Sequence, residues 1–468
     1  MTHKKKNKIL LLNPPGNKMF FRDYYCAKVS KAKYYYHPID LVYLSGRLTE
    51  LGDIFVIDAI AENLSSKSCS KQILDLKPNI IIFLSSAPSY EEDMSFIKSI
   101  KNEITHCNII ASGDIFRDYK TKALVDNPFL DAILFDFSTD DILTYLKKTH
   151  HKIIPNIIYR SNNEIIEGKK NHKNGEWKTP VPQWENFNLK AYHFPFTKRK
   201  PFASILTDFG CPYNCDFCPI STLGFKLRPI ADVISELKKL KSLGVKELYI
   251  RDQTFGVNKE RTHQLLDTMQ ESELKFSFTA LSRTDVLDSA LLIKMKKAGC
   301  HTLMIGIESA NDDILHKHKK SIKTSDTYQS IKQIKKAGIK VGGFFMLGFP
   351  GETRESIYAT AKFARKLPID YASFNIVSPR FGTEFREKSI AAGLIDPTIL
   401  NAESSSSTPI WKHQTINNND LLSLKKKAVR KFYLRPKYIF HRVINIKTRH
   451  ELINLISEGI SILLKNKA

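Results

Sequence analysis

Three of the chain's seven cysteines stand within eight residues, in Gly210-Cys211-Pro212-Tyr213-Asn214-Cys215-Asp216-Phe217-Cys218-Pro219, spaced C-x3-C-x2-C. Thiolate is the soft ligand that holds iron–sulfur clusters or zinc. A closed zinc site takes four ligands, and no fourth Cys or His lies within a short loop's reach; His193 is the nearest upstream. Three thiolates around a four-iron cluster leave one iron open to bind a further molecule, which a cofactor-activating centre requires. Pro212 and Pro219 oppose a continuous helix, so the stretch reads as a loop wrapped around metal. A zinc knuckle and unliganded core cysteines are the alternatives.

Such a loop needs rigid elements at its ends, and the sequence supplies them from Phe202 onward. Strands are expected near 202–207, 246–251, 275–280, 302–307, 340–347 and 371–377, with helices near 231–243, 258–271, 288–298, 325–337 and 353–366. Over 201–390 this alternation implies a partial, six-stranded TIM-like barrel, whose functional groups gather at the carboxyl ends of the strands. The distinctive residues fall there. The cysteines follow the first strand, Asp252 ends the second, Arg283 follows the third and Glu308 ends the fourth. Gly342 and Gly343 are adjacent inside the fifth, which is unfavourable unless another group approaches the backbone closely. A flat adenine would be such a group. Taken singly, an acid at a strand end can be a helix cap, and Gly348-Phe349-Pro350-Gly351 an ordinary turn.

Residues 1–148 alternate similarly, with strands at Lys8–Leu12, Ile54–Asp58, Ile80–Ser85, Asn108–Ser112 and Ala132–Phe135. A helix stripe of Leu41, Leu44, Leu48 and Leu51 ends at Gly52, read as a cap. Further helices are expected at about 70–76, at 90–104 and after 139. This is the pattern of a parallel, Rossmann-like sheet. Ligands of such sheets sit beyond the strands' carboxyl ends, where Asn13-Pro14-Pro15, Ser85-Ser86-Ala87 and Ser112-Gly113-Asp114 stand. Residues 149–200 read as a linker with a small hairpin around Asn162-Asn163, and Trp184, Tyr192 and Phe194 as packing across the junction. Residues 391–468 read as a basic helical region with a flexible run at Ser404–Thr408. Its stripe of Leu452, Ile453, Leu455, Ile456, Ile460 and Leu463 is assigned to packing on the barrel, with docking on an anionic membrane as the alternative.

Of 468 residues, 42% are hydrophobic and 26% charged, the balance of a folded globular protein. The net charge of +24 is read as scattered lysines on solvated faces, because no aromatic residues interleave with them as in a nucleic-acid interface. Cys26, Cys69, Cys107 and Cys300 lack the spacing of a disulfide framework and read as buried thiols in a reducing compartment. No apolar run is long enough to span a membrane, and Ile9–Leu12 is too short for a signal peptide. The expected location is the cytoplasm, with at most peripheral contact with a membrane.

With Phe217 just before its third cysteine, the motif resembles the C-x3-C-x-aromatic-C signature of the radical S-adenosylmethionine (SAM) superfamily. Over about 200–385, Gly306-Ile307-Glu308-Ser309, Gly342-Gly343-Phe344-Phe345-Met346-Leu347-Gly348-Phe349-Pro350-Gly351-Glu352 and Pro379-Arg380-Phe381-Gly382-Thr383 are similar to the cobalamin-dependent branch. Relatives usually read Pro-Tyr-Pro-Gly-Thr at the last of these. The opening Leu10-Leu11-Leu12-Asn13-Pro14-Pro15, followed by His37-Pro38-Ile39-Asp40-Leu41, resembles the cobalamin-binding domain that precedes many such barrels. Arg430–Tyr438 resembles the tail that many of these enzymes carry.

The resemblance implies a 4Fe-4S cluster on Cys211, Cys215 and Cys218, with SAM on its open iron. It places Asp252 and Glu308 at the methionine amine or ribose, Arg283 near the carboxylate, and Gly342 and Gly343 beside the adenine. Cobalamin would lie over Asn13, Ser85, Ser86, Ser112 and Gly113. The D-x-H-x-x-G motif is absent, so no histidine would ligate cobalt, and Phe135-Asp136-Phe137 stands where many relatives have Gly-Glu. The implied activity is methylation of an unactivated carbon in a small-molecule or lipid-like substrate. A 5′-deoxyadenosyl radical would abstract the hydrogen, methylcobalamin would give the methyl group, and an electron donor such as flavodoxin or ferredoxin would feed the cluster. A radical cyclase or oxidase, an RNA-modifying enzyme and a non-catalytic iron–sulfur or cobalamin regulator are the alternatives. The SAM-directed set of Asp252, Arg283, Glu308 and the Gly342-Gly343 pair argues against the last, and the absence of an RNA-binding module against the RNA reading.

Overall fold

The computed structural model describes residues 6–23, 27–30, 34–148, 153–162, 164–172, 174–399, 409–413 and 415–444. Cys26, the run Ser404–Thr408 and the stripe from Leu452 to Leu463 lie outside them. Two α/β layers are built from parallel strands, joined by one continuous apolar core.

The first sheet holds β1 (Asn7–Asn13), β2 (Gly52–Asp58), β3 (Ile80–Leu84), β4 (Asn108–Ser112), β5 (Ala132–Leu134), β6 (Ile157–Ser161) and β7 (Glu164–Glu167) in the order β2-β1-β3-β4-β5-β6-β7. Ile9, Leu10, Leu11 and Leu12 are all fully buried, as a central parallel strand covered on both faces demands. α1 (Ile39–Arg47), α2 (Ser66–Leu76), α3 (Tyr90–Glu103), α4 (Phe116–Asp126) and α5 (Asp141–Lys147) alternate with the strands. Two expectations change here. Gly52 is the first residue of β2 rather than a helix cap, and it must be glycine because a Cβ there would stand 2.1 Å from the Asn7 carbonyl oxygen. The hairpin β6–β7 extends the first sheet, pairing antiparallel to β5, instead of standing in a separate linker.

The second sheet is wholly parallel and runs in chain order: β8 (Phe202–Ile205), β9 (Glu247–Ile250), β10 (Ser277–Ser282), β11 (Cys300–Glu308), β12 (Lys340–Leu347) and β13 (Tyr371–Ile376). Its helices are α6 (Ile230–Ser242), α7 (Lys259–Glu271), α8 (Ser289–Lys297), α9 (Asp312–Lys317), α10 (Thr324–Lys336) and α11 (Arg354–Lys366). This is a partial, unclosed barrel. On the sheet face away from these helices, Tyr249 and Met304 pack with Phe196, Leu281 and Phe344 in a separate apolar cluster. α12 (Glu384–Ala391), α13 (Asn418–Tyr433) and α14 (Pro436–Ile444) follow β13, and α13 buries Leu421, Leu424, Ala428 and Phe432.

The junction aromatics pack as expected. Trp184 donates from Nε1 to Glu236 at 2.9 Å, Tyr192 donates to Asp58 at 2.9 Å, and Phe194 stacks on Tyr249 at 4.3 Å.

A candidate cofactor site at the barrel mouth

The cysteine loop leaves β8 through a small sheet that the sequence did not announce. Asp208–Gly210 pairs antiparallel with Phe225–Leu227, which pairs parallel with Gly175–Glu176. Gly210 has φ +85°, and a Cβ there would lie 1.8 Å from the Gly224 carbonyl oxygen, so only glycine allows the strands to close beneath the loop.

Within the loop, Cys211 Sγ lies 3.7 Å from Thr254 Oγ1, and Arg283 Nη1 donates to Cys215 Sγ at 3.8 Å. The Cys218 amide donates to the Cys215 carbonyl at 3.1 Å. Asp216 pairs with His318 at 3.0 Å, and Phe217 packs on Phe349 at 5.3 Å, fixing the loop to α9 and to the turn after β12. Burial raises all three thiols, and each is raised further by the charge of another of the three. The cations Lys320, Arg283 and Arg380 oppose this: Lys320 and Arg283 at Cys215, Arg380 and Lys320 at Cys218. No three His, Cys, Asp or Glu side chains among the described residues converge closely enough to hold a single metal ion. Three thiols sharing one loop without that convergence, ringed by cations, suit a larger anionic cluster better than a zinc ion.

Arg283 and Glu308 join the cysteines at this end of the sheet. The Arg283 guanidinium stacks 3.6 Å from the Tyr213 ring centroid and pairs with Asp285 at 2.8 Å. Glu308 has φ +65°, a strained backbone for a residue with a side chain. It pairs with Lys320, a buried lysine the sequence reading missed, at 3.0 Å. Gly306 makes room for them, since a Cβ there would stand 2.5 Å from Glu308 Oε1 and 3.0 Å from Lys320 Nζ.

Asp252 and the glycine pair are placed otherwise than expected. Asp252 is fully buried and accepts from the Thr207 amide at 2.6 Å, the Asp208 amide at 3.2 Å and the Thr207 hydroxyl. Burial pushes its carboxyl up to about 6 against those bonds. Its oxygens brace the turn into the cysteine loop. Gly342 is the third of eight residues in β12, far from the strand's carboxyl end, and a Cβ there would touch Met304 and Phe196 at an ordinary 3.7 Å. Gly343 faces the other way, where a Cβ would crowd Ile307, Ile369 and Phe345 at 3.0 Å. Side chains pack around both positions, Met304 and Phe196 on one face and Ile307, Ile369 and Phe345 on the other.

The ends of β1, β3 and β4 form the opposing face. Asn13 is spent on structure: it donates to Asp58 at 2.7 Å and to Tyr35, and accepts from the buried Arg22, which also pairs with Asp93 at 2.7 Å. Ser86 bonds Ser89 at 2.8 Å, and Ser112 donates to the Leu134 carbonyl at 3.0 Å. Ser85 and Gly113 lie where the ends of β3 and β4 meet; a Cβ on Gly113 would be 1.6 Å from the Ser85 oxygen. Asp114 accepts from the Ala87 amide at 3.1 Å. The turn into α4 then clamps the two layers together. Arg117 donates to the Pro219 carbonyl at 3.0 Å, and Asp118 accepts from the Gly382 amide at 2.8 Å and pairs with Arg386 at 2.9 Å. Asp136, in the segment that departs from the family's Gly-Glu, pairs with Lys226 at 3.0 Å and His172 at 3.3 Å. A cleft of about 590 Å³ is lined by Pro212 of the cysteine loop with Phe225, Arg228 and Arg261, and none of the three cysteines lines it.

Comparison with known proteins agrees with this layout. The profile of the Radical SAM superfamily matches residues 206–364. An uncharacterized methyltransferase of Pyrococcus horikoshii is 31% identical over 412 residues, 86% of this chain and 89% of its own. The cytidylyl-2-hydroxyethylphosphonate methyltransferase of Streptomyces wedmorensis is 24% identical over 454 residues, 83% of each. In fold, the chain is similar to the cobalamin-dependent SAM radical enzyme OxsB with aqua-cobalamin bound (TM-score 0.73, 15% identity, 98% of this chain and 72% of that one). It is also similar to the radical SAM methyltransferase TsrM of Kitasatospora setae (TM-score 0.63, 16% identity, 83% and 78%). The chain belongs to the radical SAM superfamily of enzymes and has the two-layer fold of its cobalamin-dependent members.

Proposed function

We propose that the protein is a cobalamin-dependent radical SAM enzyme that methylates an unactivated carbon of a small-molecule substrate. The observation that carries this reading is the placement of Cys211, Cys215 and Cys218 on one loop, with Arg283 donating to Cys215, at the end of the sheet that also holds the Glu308–Lys320 pair, and with Arg117 tying that loop to the first layer. Cys211, Cys215 and Cys218 would hold a 4Fe-4S cluster, and the small residues Ser85, Ser86, Ser112 and Gly113 suit a broad ligand lying across strand ends, as cobalamin would. When bound, the cluster with SAM supplies one-electron activation of a C–H bond, and cobalamin supplies a transferable methyl group.

The chain's own residues orient the parts and exclude water. Arg283 and Lys320 bring positive charge to the Cys215 thiol; with SAM bound they would hold its carboxylate, and Glu308 would hold its amine. Asp252 acts one step removed, by setting the turn that starts the loop. The apolar cluster of Met304, Leu281, Phe344 and Phe196 keeps that side of the sheet dry. The relatives at 31% and 24% identity are named methyltransferases and those at 23% and 22% are named cyclases, an order that supports methylation over cyclisation.

No described helix is long and apolar enough to cross a membrane. The free thiols of Cys69, Cys107 and Cys300 support a reducing compartment, the cytoplasm. The exposed Ile439, Phe440 and Ile444 of α14 are where peripheral contact with a lipid surface would occur. The electron donor would be a flavodoxin or ferredoxin. Anaerobic reconstitution tests the reading: about four irons per chain and brown absorbance support it, whereas zinc without colour would sink it.

A further inference from the structure

The Arg283 guanidinium is engaged on three sides. The residue follows β10 directly and is 5% exposed. Along one edge, Nε donates to Asp285 Oδ1 at 3.0 Å and Nη2 to Asp285 Oδ2 at 2.8 Å, a two-point fork. Against its face lies the Tyr213 ring, with the centroid 3.6 Å from the guanidinium carbon. The third nitrogen, Nη1, donates to Cys215 Sγ at 3.8 Å.

The two groups that hold Arg283 are anchored separately. Asp285 belongs to the turn Thr284–Val286, which Ser330 of α10 fixes by donating to the Thr284 carbonyl at 3.0 Å. Tyr213 stands between Cys211 and Cys215 on the loop itself. A carboxylate fork fixes the edge of a guanidinium but lets its plane tilt, and a ring stacked on the face stops the tilt. Nη1 is therefore aimed at the sulfur by residues of two different elements. Cys215 also donates to the Lys319 carbonyl at 3.8 Å, which it does only as a thiol. As an iron-bound thiolate it has no proton to give and still accepts from Arg283.

We propose that Arg283, aimed by Tyr213 and Asp285, sets the reduction potential of the cluster through its N–H···S bond to Cys215. Tyr213 and Asp285 are positioning residues that act through Arg283. This deepens the cluster reading above and rests on it. One electron from an external low-potential donor adds one negative charge to a cluster already held by three thiolates. A cationic N–H directed at one of those sulfurs stabilises the reduced state and raises the potential. Water admitted to the cluster would raise it for the same electrostatic reason. Removing a ring that only shielded the cluster would thus shift the potential up, whereas removing a ring that aims Arg283 shifts it down.

The test is a potentiometric titration with titanium(III) citrate, read by electron paramagnetic resonance, on the anaerobically reconstituted full chain. SAM is left out, so that no contact of Arg283 with SAM enters the result. R283Q should move the cluster midpoint to more negative potential. Y213L should move it the same way and by less, whereas Y213F, which keeps the ring, should match wild type. Y213L added to R283Q should bring no further shift. An unchanged or more positive midpoint in R283Q or in Y213L, or additive shifts in the double variant, would overturn the proposal. Should R283Q fail to hold iron, the tyrosine variants decide: a negative shift in Y213L with none in Y213F supports the proposal, and any other result refutes it. Wild-type chain without iron removes the cluster reading and this proposal with it, whereas iron with a midpoint indifferent to Arg283 removes only the proposal.

Discussion

The Glu308–Lys320 pair offers a quantitative check on the site. The two side chains are only 10% and 7% exposed, and they meet at 3.0 Å above Gly306. Replacing Lys320 with Met keeps the length of the side chain but leaves the Glu308 carboxylate buried without its cation. Removing one member of a buried pair costs about 3–5 kcal/mol. Here the strained backbone of Glu308, at φ +65°, loses a contact that holds it in place. Replacing both residues together, as Glu308→Gln with Lys320→Met, removes the stranded charge and should recover most of the loss, because deleting both partners is often nearly neutral. Denaturant unfolding of the apo chain, read as a double-mutant cycle, measures the coupling directly. We expect a coupling of roughly 2–3 kcal/mol, which is the upper part of the range for groups in contact. If K320M cost less than about 1 kcal/mol, the ordinary effect of a surface change or little more, the pair would not be buried as described.

Other expectations follow from single contacts. C211A, C215A and C218A should each abolish iron retention, whereas C69A, C107A and C300A should keep it; an iron count per chain decides. G210A should prevent cluster assembly, because its Cβ would collide with the Gly224 carbonyl in a backbone conformation glycine favours, and normal iron loading would contradict the loop geometry. At Asp136, burial raises the carboxyl but His172, Lys226 and Ser138 outweigh it and bring it down to about 2. A depressed carboxyl adds stability that is complete above its unfolded value near 4 and is lost as pH falls toward 2, about 2 kcal/mol in all. D136N should therefore lower stability at pH 7 and flatten that acid limb, and an acid limb matching wild type would count against it.

Much of this was legible in the sequence because it is local. Cysteine spacing identifies a metal-binding loop without knowledge of the fold, and short apolar runs such as Ile9–Leu12 declare buried parallel strands directly. What escaped is non-local. α4 carries a weak apolar stripe, Phe116, Ala123 and Leu124, broken by the non-helical Lys120, so its helix period was invisible. Yet its first turn holds the clamp between the layers. Lys320 reads as one more lysine in a lysine-rich chain until folding brings it to Glu308. Asp252 and Gly342 misled for a related reason. Both sit in segments where a ligand contact is expected, but Asp252 accepts from Thr207 and Asp208, and a Cβ on Gly342 would meet Met304 and Phe196. Strand periodicity cannot show which neighbour a side chain will meet.

The central claim is methyl transfer by radical SAM chemistry, and the ratio of SAM products tests it most directly. The reconstituted enzyme, supplied with cobalamin, a low-potential reductant and a small-molecule extract containing its substrate, should consume two SAM molecules per product. S-adenosylhomocysteine and 5′-deoxyadenosine should then accumulate in about equal amounts, both dependent on Cys211, Cys215 and Cys218. Substrate turnover yielding 5′-deoxyadenosine with little S-adenosylhomocysteine would contradict the claim and point to a cyclase or oxidase instead.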